Sequence, residues 1–186
     1  MGQNCMIALK ELGYTNVKCI DAGQDSRKLA SELCSMSSDL IVFNAMQGGY
    51  SEYGALSGLL DCLRIPYTHS GVMTTALQAD KEVSKKVASA AGLKVAESVE
   101  FNCLLDDIEQ FRHHPIVTEG AYVLKPISNG TSYGVHLFQK GILPPAELFS
   151  ASNWHYGDRL MLERFIVGRE FTCAVLLDKM IGLCEV

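Results

Sequence analysis

The pattern of apolar positions opens with a helix. Over residues 3–12, Cys5, Ala8, Leu9 and Leu12 share one helical face, and Gly13 stands where a helix stops. Residues 17–20 read as a short strand ending at Asp21, and Leu29 and Leu33, four apart, place a second helix. Residues 39–45 (DLIVFNA) form a continuous apolar run, which suits a parallel strand covered on both faces. Gly48, Gly49 and Gly54 predict a glycine-rich turn, followed by a helix that carries Leu56, Leu59, Leu60 and Leu63 inward. Ile65-Pro66-Tyr67 is another short extended piece. This βαβ rhythm predicts an open α/β sheet. One feature is odd, because the chain starts in a helix where a doubly wound sheet starts with a strand.

Further on, Val83, Val87 and Ala90 predict a helix over residues 81–91, and residues 104–111 read as another. From Ala121 the pattern changes. AYVLK, GVHLF, RLMLERF, EFTCAVLL and MIGLCEV read as strands linked by turns such as Asp178-Lys179, the signature of an antiparallel sheet. The expected step from an α/β unit to an α+β unit falls near residues 76–80.

Composition narrows the class without naming a function. With 186 residues, 48% hydrophobic and 20% charged, the chain has the make-up of an ordinary soluble globular protein. A net charge of −5 argues against a partner recognised by its nucleic-acid backbone, yet leaves room for a small anionic ligand. The seven cysteines form no CxxC pair and have no histidine at zinc spacing, so no metal site is expected from them. Their odd number, without a secretory signal, predicts a reducing cytoplasm. No apolar run approaches the ~20 residues of a membrane span.

Three stretches could carry chemistry. In residues 125–135 (KPISNGTSYGV), a strand delivers Lys125 at its end. A loop with Gly130, Gly134 and the hydroxyls of Ser128, Thr131 and Ser132 follows. Glycines let backbone N–H groups approach a phosphate, and a lysine ammonium suits its oxygens. An ordinary hairpin turn is the competing reading, since Asn-Gly is a common turn pair. In residues 162–172 (LERFIVGREFT), carboxylates at Glu163 and Glu170 flank apolar Phe165 and Ile166. Such a connection could wrap an adenine ring, or be a solvated hairpin with an exposed ion pair. In GGYSEYG, Glu52 stands at the carboxyl end of the apolar strand, where it serves a ligand or a helix start equally well. There is no Walker A loop, GxGxxG or GxSxG.

Together these segments resemble the D-alanine–D-alanine ligases of the ATP-grasp superfamily along nearly the whole chain. VFNAMQGGYSEYGALSGLLDCLRIPYTHSGVMTTALQADK is similar to the family's first-domain signature, KPISNGTSYGV to its phosphate loop and LERFIVGREFTCAVL to its adenine connector. The resemblance implies a pre-ATP-grasp open α/β (Rossmann-like) domain over 1–78 that lacks its first strand. A small ATP-grasp α+β subdomain over 79–163 and the start of the large ATP-grasp subdomain over 164–186 follow. It also implies ATP-dependent joining of two D-alanines through an acyl phosphate, for peptidoglycan precursors, by a magnesium-using cytoplasmic homodimer.

By position, the resemblance gives Lys81 and Lys125, with Gly130 and Ser132, to the ATP phosphates. Glu163, Arg164 and Ile166 go to adenine, Glu170 to ribose, and Thr131 and Glu52 to D-alanine. Three departures bear on substrate handling: Gln47 replaces the usual histidine, Tyr53 the usual aspartate, and His69 a glycine. Relative to the family, the chain is expected to lack the opening strand with its glutamate, and the magnesium ligands beyond Val186. A fragment, a non-catalytic remnant that at most binds nucleotide or dimerises, and a different ATP-grasp carboxylate–amine ligase are the competing expectations.

Overall fold

The computed structural model describes residues 2–186 except Gln24, Ser37, Ser38, residues 47–50, Glu52 and Thr131. The predicted turn glycines Gly48 and Gly49 thus lie outside the described residues. Contacts gather the chain into two units: Met1–Leu93 with Ile127–Ser132, and Lys94–Pro126 with Tyr133–Val186. The helix expected to open the second unit therefore groups with the first.

In the first unit, α1 spans Gly2–Glu11, α2 Ser26–Cys34, α3 Ala55–Cys62, α4 Val72–Ala79 and α5 Lys81–Ala90. The Asp25 carboxylate caps α2 by accepting from the Arg27 N–H at 3.1 Å. Asp80 caps α5 in the same way, accepting from Val83 at 3.0 Å. Leu29 and Leu33 meet Leu56 and Leu60 in a small core, with Val42 and Tyr67 at its edge.

The predicted sheet shrinks in this unit. Residues 17–20 are not a strand, and the 39–45 run makes a single parallel bridge, Val42 to Tyr67. Two bonds of 2.9 Å form that bridge, from Val42 N–H to the Pro66 carbonyl and from Thr68 N–H to the Val42 carbonyl. A strand's backbone groups need a neighbour to pair with, and beyond this bridge the Asn44 N–H turns to the Thr68 side chain, at 3.4 Å from its Oγ1. The apolar face read over residues 3–12 is only half covered: Cys5 and Leu9 are half-buried, Leu12 is 75% exposed and no residue of α1 is buried. Gly54 enters α3 at φ +82°, and a Cβ there would sit 2.7 Å from the Val72 carbonyl oxygen, so only glycine fits.

The second unit is the expected antiparallel sheet. β1 is Ser98–Asn102, β2 Tyr122–Pro126, β3 His136–Phe138 and β4 Arg159–Arg164, in the order β1-β4-β2-β3. Alternation along β2 and β4 turns Tyr122, Leu124, Leu160 and Leu162 to one face. There they pack with Phe101, Phe111, Ile116 and Trp154. The short helix α6, Pro115–Thr118, adds the fully buried Ile116 to that core. Where a helix was expected at 104–111, only a 3-10 turn, Ile108–Phe111, forms.

β5 (Phe171–Leu176) and β6 (Lys179–Glu185) make a separate hairpin. Its turn falls one residue earlier than predicted, on Leu177 and Asp178, both at positive φ, the combination that matches strand twist in a two-residue loop. Arg169 donates to both Glu185 carboxylate oxygens at 2.8 and 2.7 Å. The pair holds the carboxyl below its ordinary pKa and the guanidinium above its own. Among the described residues no helix is long and apolar enough to cross a membrane.

Candidate functional site

The second unit brings two of the expected residues into contact. In the β2–β4 ladder, Lys125 stands opposite Met161 and Val123 opposite Glu163. Lys125 and Glu163 are therefore diagonal neighbours on one face, within reach of long side chains. The Lys125 ammonium donates to the Glu163 carboxylate, with 20% and 18% of the two side chains exposed. The face opposite the core thus holds a largely enclosed ion pair, whose cation stands one residue before the end of its strand. An enclosed lysine on a rigid strand is preorganised for an anion that can compete with its carboxylate partner.

The chain after Glu163 diverges in character. Arg164 turns its guanidinium toward α6, donating to the carbonyls of Pro115 at 3.0 Å and Ile116 at 3.1 Å. Glu97 and Glu119 stand 3.4 and 3.7 Å away. The geometry makes this side chain a brace on the core, while the backbone carries on into the connector. There the Phe165 N–H donates to the Ala121 carbonyl at 3.1 Å. Phe165 and Ile166 are 41% and 66% exposed, so the connector presents apolar side chains to solvent. Glu170 is exposed too.

The glycine-rich loop after β2 is held within the first unit. Lys81 opens α5, and its backbone N–H donates to the Ile127 carbonyl at 3.2 Å. Its ammonium donates to the carbonyls of Ile127 at 3.1 Å and Asn129 at 2.5 Å. The Tyr53 phenol donates to the Ser128 carbonyl between them. Gly130 and Ser132 are exposed, and Ser132 takes a left-handed φ of +60°. The structure thus joins Lys81 to the loop and Lys125 to Glu163. Glu52 and Thr131 lie outside the described residues. Among those residues no group of three or more His, Cys, Asp and Glu side chains could hold a metal ion.

Tyr53 is the residue that sequence reasoning passed over. It registered only as a substitution, and its partner Ser128 lies 75 positions away. The one available signal was a phenol, able to donate, on the turn before α3.

No family model matches the chain. By sequence it is 40% identical over 185 residues to the D-alanine–D-alanine ligase of Brucella anthropi. It is 45% identical over 186 residues to that of Parvibaculum lavamentivorans. Each match takes in all of this chain and 56% of the relative, so the chain spans just over half the length of these curated relatives. By fold it is similar to the crystal structure of the D-alanine–D-alanine ligase from Bacillus anthracis, with a TM-score of 0.78 and 25% identity. That match covers 100% of this chain and 58% of the other. The resemblance carried by the motifs is therefore borne out along the whole chain, and the mixed α/β fold is that of these ligases.

Proposed function

We propose, from a similarity to D-alanine–D-alanine ligases that runs through the whole of this chain, that it carries nucleotide-binding parts of an ATP-dependent ligase joining two D-alanines. The observation that carries this reading is Lys125 at the end of β2, paired with Glu163 and leading directly into the glycine-rich loop. The enclosed lysine meets the ATP phosphates by exchanging its carboxylate partner for phosphate oxygens. Exposed Phe165 and Ile166 cover the adenine ring and the connector backbone reads its edge. Glu170, an exposed carboxylate beyond the connector, accepts from the ribose hydroxyls. Arg164 contributes by bracing the strand end. Lys81 acts on the phosphates with the loop it holds, to which Gly130 and Ser132 belong, and Thr131 and Glu52 are assigned to the D-alanine side.

In the proposed reaction the carboxylate of the first D-alanine attacks the γ-phosphorus, giving an acyl phosphate and ADP. The amine of the second D-alanine adds to the acyl carbon. The tetrahedral intermediate then expels phosphate and leaves the peptide bond. This chain's residues bind and orient ATP, which in phosphoryl transfer is a large part of catalysis. Among the described residues no group of three or more His, Cys, Asp and Glu side chains could hold a metal ion, so magnesium would enter with ATP, held mainly by its phosphates. A cytoplasmic homodimer supplying D-alanyl-D-alanine to peptidoglycan completes the proposal.

The test is phosphate release from ATP by the purified protein, with and without D-alanine, in parallel with Lys125→Ala. Release stimulated by D-alanine and lost in the variant would carry the reading through to catalysis, and ATP binding lost in the variant without release would limit it to the nucleotide-binding parts. Release indifferent to D-alanine would remove D-alanine as the substrate.

A further inference from the structure

Three consecutive carbonyls of the glycine-rich loop, those of Ile127, Ser128 and Asn129, are each met by a donor from the first unit's helical part. Lys81 takes the outer two and the Tyr53 phenol takes the middle one. In a planar trans peptide the C=O and the following N–H point to opposite sides. Donors that fix these carbonyls therefore also fix the directions of the amides of residues 128–130. A run of amides held in one direction forms a concave, electropositive nest suited to an anion. Lys81 is one half of this arrangement and is assigned to nucleotide by the resemblance. Tyr53, which stands where that family has aspartate, is assigned to nothing. An aspartate carboxylate would repel the Ser128 carbonyl that the phenol instead binds.

We propose that Tyr53 is a positioning residue for the loop, acting through the Ser128 carbonyl so that the amides of residues 128–130 are aimed at the nucleotide phosphates. This deepens the nucleotide reading and rests on it. Tyr53 is 43% exposed, so removing its hydroxyl does not open the core. Its effect is confined to the loop and to ligands that reach the loop through phosphate.

The experiment compares the unsubstituted chain with Tyr53→Phe, which keeps the ring and removes the donor. Tyr14→Phe, an exposed phenol on another segment, is the control. Calorimetry measures the binding of ATP and of adenosine, and hydrogen exchange reads the amides of residues 128–130 without ligand. Loss of one hydrogen bond predicts ATP binding weaker by about three- to tenfold. Adenosine binding should be unchanged, and exchange faster at 128–130 only. A merely structural role for Tyr53 would weaken adenosine and ATP together. Unchanged exchange, or ATP affinity equal to that of the unsubstituted chain, overturns the proposal while leaving the nucleotide reading in place. Failure of the unsubstituted chain to bind either ligand overturns the nucleotide reading and the proposal with it.

Discussion

Gly134 and Gly141 offer a matched pair of perturbations. Both sit in the second unit at almost the same left-handed backbone, φ +71° and +77°, where an L side chain costs roughly 1–2 kcal/mol. Their surroundings differ. A Cβ on Gly141 meets nothing within 4 Å, whereas one on Gly134 would lie 2.7 Å from Tyr156 Cδ2, 2.9 Å from its Cγ and 3.0 Å from Pro126 Cγ. The Tyr156 ring cannot simply retreat, because it packs edge-on against Trp154 at 5.1 Å between centroids. Trp154 in turn is in the core and donates to the Gly157 carbonyl at 2.6 Å. Overpacking of this kind costs about 1–3 kcal/mol. Gly141→Ala is therefore expected to cost about 1–2 kcal/mol and Gly134→Ala about 2–5, a large share of a domain's ~5–15. Urea unfolding, read by Trp154 fluorescence, measures both. Equal losses in the two variants would refute the steric reasoning and leave backbone strain alone as the cause.

Burial of Tyr122, whose phenol donates to the Ile142 carbonyl at 2.6 Å, pushes its pKa up to about 12. The unfolded chain releases this proton near pH 10 and the folded chain near 12. Stability should therefore fall by about 1.4 kcal/mol per pH unit across that window, and Tyr122→Phe should abolish that part of the slope. Identical alkaline slopes in the two proteins would contradict the assignment. Arg164→Lys cannot reproduce two donors on the carbonyls of Pro115 and Ile116. It should lower stability by about 1–3 kcal/mol in urea unfolding. A change within about 0.5 kcal/mol, the scale of an ordinary surface substitution, would show that the brace carries nothing.

The antiparallel sheet was legible because YVLKP and RLMLER are short apolar runs that bury Tyr122, Leu124, Leu160, Met161 and Leu162. β1 was not, since in SVEFN only Phe101 is buried and the strand is defined by its pairing with β4. The parallel run at 39–45 read as a full strand because apolar content speaks of burial, and pairing depends on a neighbour the sequence does not display. Helix α4 went unread although Val72 and Ala76, and Met73 and Leu77, stand four apart, and it buries no residue. In the site, Lys125 and Glu163 stood out as residues, but their contact comes from the ladder register. The direction of the Arg164 side chain is set by carbonyls 48 and 49 positions away. Long-range partners of this kind are where local pattern carries no information.

The central claim is that Lys125 is part of an ATP-phosphate site, and titration calorimetry of ATP into the protein and its Lys125→Met variant tests it most directly. Loss of one ammonium–phosphate contact predicts affinity lower by about tenfold or more, with adenosine affinity unchanged. Equal ATP affinity in the two proteins would contradict the account. It would leave the Lys125–Glu163 pair as a structural contact of the sheet.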